Sequence, residues 1–132
     1  MIGIVLVTHN ALALEFIGTV EHVMGKQERM ESVCIVAGDD MEKRREDILR
    51  AVESVDNGSG VVILTDMFGG TPSNLAISVI NTGKIEVLAG VNLPMLIKLV
   101  SVRDSLSLSE AVQQAQDAGQ KYICTVRNLL KV

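Results

Sequence analysis

Apolar runs of strand length alternate along the 132-residue chain with apolar residues at helical spacing. Ile2 to Val7 is a continuous apolar run that stops at Thr8-His9, the pattern of a strand buried on both faces. From Ala11 to Met24, Leu12, Phe16, Ile17, Val20 and Val23 recur at helical spacing, and Gly25 supplies a stop. Met30 to Ala37 predicts a second strand. Gly38-Asp39-Asp40 then opens a helix from about Met41 to Val55, with Ile48, Leu49 and Val52 as its buried stripe. Asp39 stands three residues before Glu42, the spacing of a capping box.

Asp56-Asn57-Gly58-Ser59-Gly60 is turn chemistry, and Gly60 to Thr65 is a third strand, apolar throughout and therefore central. Pro72 suits the first turn of a helix with Thr71 as its N-cap, running to Asn81-Thr82-Gly83. Ile85 to Ala89 predicts a fourth strand. Pro94 opens a helix through Val102, and Ser107 or Ser109 opens another that stops at Gly119. Lys121 to Val126 predicts a final strand. Strands alternating with helices imply one α/β domain over residues 1–132, a mostly parallel sheet covered on both faces. The last strand arrives after two helices and need not be parallel. It fits an antiparallel edge, or an exchange with a second subunit.

Composition narrows the function classes. Hydrophobic residues are 48% and aromatics 2%, so the core is built from Val, Ile, Leu, Met and Ala. With no Trp and a net charge of −4, neither stacking platforms nor a basic footprint for nucleic acid is present. The two cysteines, Cys34 and Cys124, sit in apolar runs without metal-ligand spacing and read as buried, reduced thiols. No apolar run approaches the ~20 residues that span a bilayer. With no basic region ahead of the first apolar stretch, a cytoplasmic location is expected.

The candidate chemistry lies where two strands end. A lone histidine after a strand often does no more than satisfy a helix start, and a lone aspartate often caps a turn. Yet His9 ends the first strand and Asp66 the third, and in a 2-1-3-4 sheet those ends are neighbours at the crevice where ligands gather. Asp66 could then hold one ring nitrogen of His9 and leave the other free to attack phosphorus. Gly69-Gly70-Thr71 begins the next helix, where glycines admit close approach and N–H groups and a hydroxyl meet phosphoryl oxygens. Met67 and Phe68 read as core by their apolar character, or as a partner-docking pair if exposed. His22 reads as surface or interface, and Asp39 and Asp40 as helix caps. A metal site from His9, Asp66 and Asp39 has no ligand spacing behind it, no Walker A pattern is present, and no cofactor is called for.

Val7-Thr8-His9, Leu64-Thr65-Asp66-Met67-Phe68-Gly69-Gly70-Thr71-Pro72-Ser73-Asn74 and Ala89-Gly90-Val91-Asn92-Leu93-Pro94-Met95-Leu96 together resemble the mannose-family IIA domain of the bacterial phosphoenolpyruvate-dependent phosphotransferase system. The resemblance implies that His9 is the phosphorylated residue, Asp66 its orienting partner, and Gly69, Gly70 and Thr71 contacts of the phosphoryl group. It implies a five-stranded sheet whose antiparallel edge strand is exchanged across a homodimer. It implies phosphate arriving from the histidine protein HPr and leaving to a IIB component that phosphorylates sugar. Asn10 stands where the family commonly has glycine. The chain stops at Val132 without an appended IIB domain and further resembles short, free-standing members, for which a regulatory target is the implied acceptor. The rivals are a regulatory binding module switched by phosphorylation and a small-molecule or metal-dependent hydrolase using the same crevice.

Overall fold

The computed structural model describes residues 1–132. The strands are β1 (Gly3–His9), β2 (Met30–Ile35), β3 (Val61–Thr65) and β4 (Ile85–Ala89). The helices are α1 (Leu12–Met24), α2 (Met41–Val55), α3 (Thr71–Ser78), α4 (Leu93–Val102), α5 (Leu108–Lys121) and α6 (Val126–Leu130), with a 3-10 turn at Ile80–Thr82. The sheet has 4 strands in the order β2-β1-β3-β4, every neighbouring pair parallel. This is the 2-1-3-4 arrangement that brings the ends of β1 and β3 together.

The continuous apolar strands have a simple cause. Successive side chains point to opposite faces, and both faces are covered. Ile4, Leu6, Val62 and Leu64 pack beneath α1, α4 and α5, while Val5, Val7, Val61 and Ile63 pack beneath α2 and α3. Each such side chain, fully buried, contributes roughly 1.5–3 kcal/mol, and the central strands β1 and β3 supply most of them. Gly3 starts β1 where α2 ends; a Cβ there would meet Val55 backbone oxygen at 2.6 Å. At the same end Arg103 is buried, and its guanidinium donates to the carbonyls of Ile2, Glu28 and Arg29 and to Gln27 Oε1. Burial lowers its pKa, opposed by the nearby carboxylates of Asp104 and Glu28.

Several expectations are corrected. Asp40, not Asp39, caps α2: its Oδ1 accepts from the N–H groups of Glu42 and Lys43, while Asp39 Oδ2 accepts from Val36 N–H and closes the preceding turn. Gly70 is the N-cap of α3 and Thr71 its first residue, because a φ of 114° at position 70 makes the turn into the helix. That helix stops at Ser78, and the 3-10 turn completes the stretch to Thr82. Cys34 is half-buried and Cys124 exposed, against the expectation of two buried thiols.

The predicted strand from Lys121 to Val126 is absent. Gly119 does not end α5; it lies against Met95 and Asn92, the close approach of α4 to α5, and the helix continues to Lys121. The residues beyond pair with neither edge strand of their own sheet, β2 or β4. Backbone groups without a ladder satisfy one another locally, and Val126–Leu130 winds into a short helix capped by Thr125. Tyr122, Ile123, Val126, Leu129, Leu130 and Val132 are left exposed.

Candidate functional site

β1 and β3 run parallel with Val7 opposite Thr65, so His9 and Asp66 leave adjacent strands at the same end of the sheet. One oxygen of Asp66, Oδ2, accepts the His9 backbone N–H at 3.0 Å and lies 2.8 Å from His9 Nδ1. The other, Oδ1, accepts the Met67 N–H at 3.1 Å. A carboxylate only accepts, so this arrangement places the ring proton on Nδ1 and leaves the lone pair on Nε2. Partial burial acts to raise the Asp66 pKa. The backbone and ring hydrogen bonds from His9 and its electrostatic attraction outweigh burial, and the carboxyl is held below its ordinary 3.8.

The free nitrogen faces the start of α3. A Cβ on Gly70 would lie 3.6 Å from His9 Nε2 and 3.4 Å from Cε1, in van der Waals contact with the free edge of the ring. Gly69 and Gly70 have φ of 83° and 114°, left-handed conformations that glycine adopts without strain. The N–H groups of Gly69, Gly70, Thr71 and Ser73 make no hydrogen bond to the rest of the chain. They are donors at the positive end of a helix dipole, beside an imidazole whose outer nitrogen is unengaged. The half-exposed His9 side chain stands open to a partner.

His9, Asp66, Met67, Phe68, Gly69, Gly70 and Thr71 thus meet at one end of the sheet. Met67 and Phe68 are 54% and 77% exposed, which overturns their reading as core and leaves the docking one. Leu12, Val36 and Met41, at the starts of α1 and α2 and just past β2, are exposed apolar residues at the same end. Sequence reading missed Thr8, fully buried, whose Oγ1 accepts the Ala13 N–H at 2.8 Å and anchors the start of α1. His22 is exposed on α1, as expected of a surface residue.

The family model for the PTS system fructose IIA component matches residues 3–116. The chain belongs to the mannose-family IIA components of the phosphotransferase system. The chain is 34% identical over 122 residues to the mannose-specific EIIAB component of Escherichia coli K12, covering 91% of this chain but 38% of that relative's length. It is 26% identical over 122 residues to the fructose-specific EIIA component of Bacillus subtilis 168, covering 92% and 84% of the two chains. Among solved structures, EIIA from Streptococcus agalactiae superposes with a TM-score of 0.88 at 26% identity, covering 97% of this chain and 99% of that one. No helix of this IIA-family chain is long and apolar enough to cross a membrane.

Proposed function

We propose that this chain is a phosphocarrier whose acceptor atom is Nε2 of His9. The observation that carries the reading is the hydrogen bond from His9 Nδ1 to Asp66, which turns the lone pair of Nε2 toward Gly70 and the start of α3. HPr docks on the exposed Met67 and Phe68 and presents its phosphohistidine to His9. The Nε2 lone pair attacks phosphorus in line, the new N–P bond forms as the donor's N–P bond breaks, and the donor imidazole leaves with the electron pair. Asp66 keeps the Nδ1 proton in place and stabilises the cationic ring. The N–H groups of Gly69, Gly70 and Thr71, with the Thr71 hydroxyl, meet the phosphoryl oxygens, which bring close to two negative charges. Phosphate then leaves to a IIB component or to a regulatory target protein. The protein works in the cytoplasm as a homodimer, its apolar segment beyond α5 exchanged onto the partner's β4 edge as a fifth, antiparallel strand.

Intact-protein mass tests the chemistry. After incubation with phosphoenolpyruvate, enzyme I and HPr, the native chain gains one acid-labile phosphoryl group and His9→Ala gains none. Full labelling of His9→Ala removes His9 from its role. No labelling of the native chain beside demonstrably active HPr removes the carrier reading.

A further inference from the structure

Asn10 follows the histidine and has a backbone φ of 50°, in the left-handed region that non-glycine residues seldom occupy. Asparagine enters that region more readily than most residues, and such conformations persist where surrounding bonds over-determine them. The His9 N–H points to Asp66 Oδ2 beyond β3, while the next N–H, that of Asn10, donates to Ile35 carbonyl in β2 at 2.8 Å. The His9 peptide is therefore gripped from both neighbouring strands. Immediately afterwards the chain must turn into α1, whose start is tied down by Thr8 through the Ala13 N–H. A single left-handed residue at position 10 satisfies both demands at once. The Asn10 side chain is exposed and makes no hydrogen bond within the chain, so its contribution runs through the backbone.

We infer that Asn10 is a positioning residue for His9: its left-handed backbone holds the imidazole in register with Asp66. A residue that resists positive φ must move the turn, and either the His9 or the Asn10 N–H then loses its acceptor. The ring follows its backbone, and its bond from Nδ1 to Asp66 weakens. The inference rests on the phosphocarrier reading for its kinetic consequence, but the ring geometry stands apart from it.

The test compares Asn10→Val, Asn10→Ala and Asn10→Gly in the full chain. Two readouts are taken: the rate of phosphoryl transfer from HPr, and the ¹⁵N signals of the neutral His9 ring, which report which nitrogen carries the proton. Asn10→Val and Asn10→Ala are expected to lower the maximal transfer rate on the order of tenfold, since small misplacements of a reacting group are costly. Both are expected to shift the ring from a single Nδ1–H form toward a mixture. Asn10→Gly, which accepts positive φ freely, is expected to restore the native rate and the native ring signal. Should Asn10→Val fail to fold, Asn10→Ala carries the comparison. Asn10→Gly as slow as Asn10→Ala would mean the carboxamide, not the backbone, matters, and would overturn the inference. Native behaviour in all three variants would overturn it as well. If the native chain takes no phosphate, the carrier reading fails by itself and the ring signals decide: an unaltered Nδ1–H form in Asn10→Ala sinks the positioning role.

Discussion

Three N–H groups converge on the two oxygens of Asp66, two from His9 and one from Met67. An asparagine there has one acceptor oxygen and one donor nitrogen. Whichever way its amide turns, an N–H faces a backbone N–H, at Met67 or at His9, and in the second case the ring is driven to the tautomer protonated on Nε2. Asp66→Asn is therefore expected to slow labelling by about 10²–10⁴-fold, the scale of a lost ring-orienting carboxylate, while the protein still folds; rates from quenched-flow mass measurement would show it. The same bonds set a pH dependence. Because the folded pKa of Asp66 is depressed, its stabilising contribution is complete above the ordinary carboxylate value and is lost as pH falls through the lowered one. The stability advantage of native protein over Asp66→Asn, read from urea midpoints, should be largest near about pH 7 and shrink by about pH 3. The pairing itself was legible in the sequence, since each residue terminates an apolar strand. The number of donors on Asp66, the site of the ring proton and the left-handed turn at Asn10 were not, because they depend on strand register and backbone angles that residue types do not encode.

At the level of elements, β1 joins the site to the end of the sheet where α2 closes against it: His9 stands at one end and Gly3 at the other. Gly3→Ala would drive a methyl against the Val55 backbone oxygen and side chain, where only movement of α2 can relieve it. A loss of about 1–3 kcal/mol is expected, read as a lower urea midpoint. Labelling of His9 should be unchanged, since the disturbance lies at the opposite end of the strand. Element type was largely readable from the chain, because buried parallel strands and amphipathic helices write different periods into the apolar pattern. Boundaries were less so. The cap of α2 moved by one residue, from Asp39 to Asp40, since two adjacent aspartates offer the same chemistry and only the Val36 N–H distinguishes them. The segment after α5 failed as a strand for a different reason. Its composition suits a sheet, but a strand forms only where it pairs, and within one chain the segment pairs with neither edge strand.

Across the whole molecule the two ends of the sheet have separate duties. Arg103 and Gly3 consolidate the ends where the strands begin, and the exposed polar and apolar groups around His9 occupy the ends where they finish. If the exchange proposed for the C-terminal segment is right, light scattering on the full chain should give twice the mass of one 14.2 kDa chain. A monomer at tens of micromolar, a range where exchanged dimers persist, would rule the exchange out. The segment also carries an optical consequence. Tyr122 is the chain's single tyrosine, and tryptophan is absent. It stands 57% exposed where α5 gives way to the apolar tail, far along the chain from His9. The folded core, built from aliphatic side chains, is therefore nearly dark in the ultraviolet. The protein's intrinsic fluorescence is a local beacon on its tail, set to brighten or dim with what the tail touches, whatever the state of the histidine.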